Sequence, residues 1–360
     1  MTGQRPFGAK RVVVKLGTTT VTGGAGEPDR DRLARITEQI ASLHRNGASA
    51  LVVSSGAIAA GLAPLGLARR PGDLPTLQAA AAVGQRRLMD LYAELLEPHG
   101  LPVAQVLLTQ DDFVKRRHYV NARHTLERLI ELGAVPIINE NDTVAVEEIR
   151  YGDNDLLAAL VANLAHADLL VMLSDVEGVF SSDPRRPGAN LLSTVDEITP
   201  ALVHAAQRRG PLGSGGMASK IKAARIATLS GIGAVIASGD RENALLDIQA
   251  GAEIGTYFPP AGRRVAARKL WIAWALPARG RLLVDEGAKQ ALTGGAKSLL
   301  AAGVKGVEGS FQAGDAVEVT TQHGEVFAKG LVSFDSNLLA QLAGMKGGRE
   351  VIHRDQLALL

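Results

Sequence analysis

Two lysines and one cluster of acids and amides are the residues of this chain best equipped for chemistry. Lys15 closes the apolar run Val12-Val13-Val14 and is followed by Leu16-Gly17-Thr18, and Lys220 ends the segment Gly213-Ser214-Gly215-Gly216-Met217-Ala218-Ser219. Glycine at such turns lets backbone N–H groups approach an anion closely. A lysine beside each of two turns suits a phosphoryl group in transfer, whose spread negative charge needs fixed cations. The plainer reading of Lys15 is a side chain that snorkels out from the end of a strand. The polar cluster lies between Val135 and Ala159, as Asn139-Glu140-Asn141-Asp142 and then Asp153-Asn154-Asp155. One Asp or Asn suffices to cap a following helix, so the excess points to a polar ligand. Asp142, Asp153, Asp155 and Asp175 have the chemistry to hold Mg²⁺, bind a substrate ammonium or orient the lysines, and their spacing does not divide these tasks. His118, His124 and His166 fall in helical segments and read as surface or core residues, which leaves no evident base. A carboxylate acceptor needs none: with a pKa of about 4.3 for Glu it is already an anionic nucleophile at neutral pH, and requires only alignment and charge neutralisation.

The elements that must position these groups alternate in type. Apolar strands are expected at 11–16, 50–53, 101–108, 135–138, 168–173 and 234–237, the last of the set. Between them lie helical segments, of which Leu33, Ile36, Ile40 and Leu43 form one stripe that stops at Gly47. This alternation predicts an α/β fold, a mainly parallel open sheet with helices on both faces. Right-handed crossovers bring every strand's C-terminal end to one edge, where open α/β sheets bind their ligands. That edge carries Lys15 to Thr18, Ser54-Ser55-Gly56, Asn139 to Asp142, Ser174-Asp175 and Ser238-Gly239. Neither GxxxxGK[ST] nor a GxGxxG after the first strand occurs, which argues against a P-loop NTPase and a dinucleotide enzyme.

Composition narrows the class. At 360 residues the chain is long for one domain and comfortable for two. Hydrophobic residues make up 46% and charged ones 21%, as in soluble globular proteins, and the net charge of +2 gives no general affinity for polyanions. The absence of cysteine excludes thiol catalysis, Cys-ligated zinc and disulfides. With neither a signal-peptide pattern nor an apolar run of about 18 residues, no membrane association is expected and the cytoplasm is the default. The sequence divides into a first domain at 1–258, a linker at 259–276 with solvated charges, and a small mainly-β domain at 277–360 built of short Val/Leu runs separated by glycine.

Six strings, VVVKLGTTT, SSGAIAAG, NENDTVA, GDNDLLAALVA, SDVEGVF and GSGGMASKIKAA, run in this order across residues 11–240 and resemble those of the glutamate 5-kinases of the amino-acid kinase family. The resemblance implies phosphoryl transfer from ATP to the γ-carboxylate of L-glutamate, the first step of proline synthesis. By position it implies that Lys15 and Lys220 contact the phosphates and stabilise the transferring group, with Asp155 orienting both. Ser55, Asp142 and Asn154 would hold glutamate, helped by Asp153. Ser174, Asp175 and the segment Ser214, Gly215, Gly216, Met217, Ala218, Ser219 and Lys220 would line the ATP site together with Lys15. Mg²⁺, a homo-oligomer and inhibition by proline are implied in the same way. Residues 277–360 resemble a PUA domain, a module many RNA-modifying proteins use for RNA. They carry nine Lys/Arg and nine Asp/Glu, and that neutrality weighs against nucleic acid as a partner. Only eight residues separate Leu342 from Val351, where relatives run longer, which leaves open whether the last elements of the module form. Two alternatives stand beside this reading. One is another small-molecule kinase of the same family, and the other is an RNA-binding protein whose kinase-like domain is a scaffold.

Overall fold

A computed structural model of the chain describes residues 5, 8–22, 26–109, 112–113, 115–144, 154–185, 187–199, 202–203, 206, 216–262, 265, 267–274, 276, 278–295 and 297–360. It divides into two compact units, Met1–Arg264 and Val265–Leu360.

The first unit opens with β1 (Arg11–Leu16), α1 (Thr18–Thr22), α2 (Arg30–Arg45) and β2 (Ser49–Ser54). It continues with α3 (Ala57–Leu62), α4 (Leu74–Leu96), β3 (Val103–Leu108), α5 (Arg116–Glu131) and β4 (Val135–Glu140). It closes with α6 (Asn154–Leu164), β5 (Leu169–Ser174), α7 (Met217–Leu229), β6 (Gly233–Ser238), α8 (Ala244–Gln249) and β7 (Thr256–Phe258). The seven strands form one sheet in the order β3-β4-β2-β1-β5-β6-β7. All neighbours are parallel except β7, which runs antiparallel to β6. The central strands are apolar runs buried along nearly their whole length, as a sheet covered on both faces requires. The expected stripe of α2, Leu33, Ile36, Ile40 and Leu43, packs into the core with Val12, Val14, Val52 and Tyr92. Burial of each such side chain is worth about 1.5–3 kcal/mol. Asp29 and Asp73 start α2 and α4 by accepting from the N–H groups of Arg32 and Thr76.

Three features depart from the expected pattern. Ala234 to Ala237 is not the last strand, because β7 adds an antiparallel edge. The short helices α1 and α3 stand directly after β1 and β2, where turns were expected. In the segment expected as a linker at 259–276, Ala267–Trp274 forms a helix, α9, which belongs to the second unit. Its Leu270, Trp271 and Ile272 are buried.

The second unit continues with β8 (Gly280–Val284), α10 (Glu286–Gly295), β9 (Leu299–Leu300), β10 (Val304–Gly309), β11 (Ala316–Thr321), β12 (Val326–Leu331), α11 (Ser336–Leu342), β13 (Glu350–Ile352) and β14 (Leu357–Leu359). Five strands make a sheet in the order β10-β8-β11-β12-β14, and β13 pairs with β9. α9 packs on β12 and β14. Leu282, Phe311, Val319, Leu339, Val351 and Ile352 lie in a core of their own. The short stretch after Leu342 therefore still delivers β13 and β14. Among the described residues no helix is long and apolar enough to cross a membrane.

Candidate active site

The parallel sheet carries out the convergence its topology demands. Lys15 is the penultimate residue of β1, paired in register with Val53 of β2 and Met172 of β5. Only 1% of it is exposed. Its Nζ lies 2.5 Å from Asp155 Oδ1, and Lys220 Nζ lies 3.2 Å from Asp155 Oδ2. One fully buried carboxylate in the first turn of α6 thus holds two buried ammonium groups, one from β1 and one from the first turn of α7. Charges of this kind are expensive to remove from water, and the ion pairs between them only roughly repay that cost. Such a cluster is weak support for stability and characteristic of a functional site. A Cβ added at Gly17 would sit 3.8 Å from Lys15 Nζ, so the ammonium folds back beside the turn that follows its strand. Gly216 precedes α7, and its carbonyl accepts from the N–H groups of Ser219 and Lys220, which fixes the turn that presents the second lysine.

Asn154 begins α6 one residue before Asp155 and is buried. Its Nδ2 donates to Ser54 O at 2.6 Å and to Asn139 Oδ1 at 2.7 Å, which ties the start of α6 to the ends of β2 and β4. Ser54 Oγ meets the Tyr92 hydroxyl at 2.9 Å. Burial pushes the Tyr92 phenol up from its ordinary value, so it stays protonated. Ser55 follows β2, half-buried, its N–H donating to Leu16 O at 3.1 Å. Asp142 lies in the turn after β4 and lines a cavity of 340 Å³ together with Ala57, Ala81, Gln85 and Asn141. Ser174 ends β5, the strand beside β1, and donates from Oγ to Asp175 Oδ1 at 2.9 Å. Asp175 is exposed, Met217, Ala218 and Ser219 are half-buried, and Gly216 is exposed.

The structure therefore brings Lys15, Asp155 and Lys220 into direct contact, with Asn154 adjacent and Ser55, Asp142 and Ser174 on the same strand ends. Asp153, Ser214 and Gly215 lie outside the described residues. His118 pairs with Asp112 at 2.9 Å, and His124 and His166 are exposed, so none of the three stands with the lysines. Sequence reasoning marks Asn139 only as part of a polar cluster and Ser54 only as part of a strand-end cluster, and gives Gln85 no part. Asn139 was legible in principle, as an amide in the otherwise apolar strand Val135-Pro136-Ile137-Ile138. Among the described residues no group of three or more His, Asp or Glu is arranged to hold a metal ion. Asp155 is engaged by both lysines.

What this arrangement can do is hold and neutralise a group with several anionic oxygens. Residues 10–238 match the model of the amino acid kinase family, and residues 280–353 match that of the PUA domain. A glutamate 5-kinase of Myxococcus xanthus is 49% identical over 98% of this chain and 97% of its own length. One of Streptomyces avermitilis is 48% identical over 98% and 97%, and one of Salinispora arenicola is 48% identical over 99% of both. The kinase family implies ATP as co-substrate. The chain belongs to the amino acid kinase family, in its glutamate 5-kinase branch, and carries a PUA domain after the kinase fold.

Proposed function

We propose that this chain transfers the γ-phosphoryl group of ATP to the γ-carboxylate of L-glutamate. The observation that carries this reading is the pair of buried lysines held by Asp155 at the strand ends, in a chain so similar to proteins named for that reaction. A γ-carboxylate oxygen forms a bond to the γ-phosphorus while the bridging P–O bond to the β-phosphate breaks, and ADP leaves with that electron pair. The acceptor has no proton to lose, which suits a site without histidine among its described members. Lys15 and Lys220 meet the negative charge that spreads over the phosphoryl oxygens, and Asp155 keeps both ammonium groups in place before the substrates arrive. Ser55, Asp142 and Asn154, with Asp153, hold glutamate. Lys15, Ser174, Asp175 and the segment from Ser214 through Gly215, Gly216, Met217, Ala218 and Ser219 to Lys220 hold ATP. Mg²⁺ would arrive on the phosphates, since it keeps several of its own waters and needs few protein ligands. Proline inhibition and self-association stand with this reading on the resemblance alone, and a cytoplasmic setting is the default of the sequence reading.

The product of this reaction is an acyl phosphate, which hydroxylamine traps as a hydroxamate. Hydroxamate is expected only when L-glutamate, ATP and Mg²⁺ are all present. Equal yields from N-acetylglutamate or aspartate would remove the assignment.

A further inference from the structure

Asn154 is held by a chain of amides that runs back to α4. Asn139 Oδ1 accepts from Asn154 Nδ2 at 2.7 Å and from the backbone N–H of Glu140 at 2.8 Å, while Asn139 Nδ2 donates to Gln85 Oε1 at 2.8 Å. Gln85, Asn139 and Asn154 are all buried. Two contacts of the chain end on backbone groups whose polarity is fixed. The carbonyl of Ser54 can only accept, so the nitrogen of Asn154 must face it. The N–H of Glu140 can only donate, so the oxygen of Asn139 must face it. Reversing either amide would set two donors or two acceptors against each other. Asn139 Nδ2 then points at α4, where Gln85 supplies the acceptor. Both N–H groups of Asn154 are used in this way. Its Oδ1 has no hydrogen-bond partner among the described residues and is the polar atom left for a ligand.

The approach of α4 is as specific as the amides. A Cβ at Gly84 would lie 1.8 Å from Ala57 O, and one at Gly61 would lie 1.9 Å from Ala80 O. The backbones of α3 and α4 therefore touch at these two glycines, and Gln85 follows the contact directly. Seven residues on, Tyr92 braces Ser54. One helix thus supports both partners of the Asn154 amide.

We propose that Gln85 is a positioning residue which, through Asn139, locks Asn154 with its carbonyl oxygen toward the substrate and so selects a ligand that carries a hydrogen-bond donor. For an amino dicarboxylate at neutral pH that donor is the α-ammonium group. This rests on the reading above, in which Asn154 touches glutamate. Gln85 lines the same cavity as Asp142, and its part in this proposal is played through Asn139. Together with the backbone groups of Ser54 and Glu140, it holds the amide of Asn154 in one orientation.

The test uses the full chain with Gln85→Leu, which removes the acceptor at similar size, and Gln85→Met as a second variant should the first not fold. Glutarate, which has both carboxylates and no ammonium, serves as the probe through its inhibition constant against glutamate. Loss of the oriented acceptor should raise KM for glutamate about tenfold, with KM for ATP and the glutarate constant unchanged. A parallel rise in the glutamate and glutarate constants, or an equal rise in KM for ATP, would show Gln85 to be packing and overturn the proposal. Wild-type hydroxamate formation is measured first. If it is absent, the glutamate reading itself falls and takes this inference with it; if it is present without the split, only the role of Gln85 falls.

Discussion

At the scale of single residues, the site rests on one carboxylate shared by two lysines, and the partners are not equivalent. Lys220→Ala removes one ammonium and leaves Asp155 with Lys15 at 2.5 Å. The fold should tolerate this, while kcat falls by roughly 10²–10³ and the Michaelis constants change less. Asp155→Asn removes the carboxylate from both lysines at once. It should cost about 3–5 kcal/mol of stability, visible as a lower urea midpoint than that of Lys220→Ala. A Lys220→Ala variant that keeps its kcat and loses only ATP affinity would make the lysine a ground-state binder. The charged members of the site were legible because each is out of place in its surroundings: Lys15 in an apolar strand, Asp155 before an apolar helix, Lys220 after a run of glycines. Gln85 was not. A glutamine in an amphipathic helix is ordinary, and nothing in the local sequence ties Gln85 to Asn139, 54 residues away.

At the scale of elements, periodicity carried most of the sheet and its long helices. Each of the six expected strands is present, and the stripe of α2 is buried as expected. What escaped were the elements too short to show a period, α1, α3, α8 and β7, whose form is set by what they pack against. α3 and α4 show the difference sharply, because their contact depends on the absence of side chains. Alanine normally improves an exposed helix position over glycine by about 1 kcal/mol. At Gly294 in α10, where an added Cβ meets nothing within 4 Å, Gly→Ala should therefore be neutral or stabilising. At Gly84 the Cβ would meet the carbonyl of Ala57, and the helices must separate. Overpacking of this kind costs about 1–3 kcal/mol and should also raise KM for glutamate, since Gln85 moves with the helix. Urea unfolding of the two variants side by side checks the opposite signs. A stabilising Gly84→Ala would mean that the backbone contact is not close.

At the scale of the whole molecule, the question is where the kinase unit ends. Composition suggested a linker as far as residue 276, because Pro259-Pro260-Ala261-Gly262 and the basic residues after it look solvated. The contacts divide the chain earlier, at Arg264 and Val265, and give α9 to the second unit. Charge at Arg268 and Lys269 hid the helix from a reading by composition, although Leu270, Trp271 and Ile272 are buried in an element that packs on β12 and β14. The described members of the catalytic cluster, Lys15, Asn154, Asp155 and Lys220, all precede the division, and the first unit has its own hydrophobic core. A chain ending at Arg264 should therefore fold and keep glutamate-dependent hydroxamate formation. A chain ending at residue 276 carries the same catalytic cluster but leaves Leu270, Trp271 and Ile272 without the strands they pack on. An exposed apolar patch of that kind is an aggregation liability. The longer truncation should thus be the less soluble of the two, the reverse of what a solvated linker would give. Size-exclusion profiles and activity of both truncations decide the matter. Equal solubility would return α9 to the linker, and a folded but inactive shorter chain would make the second unit a support of the site.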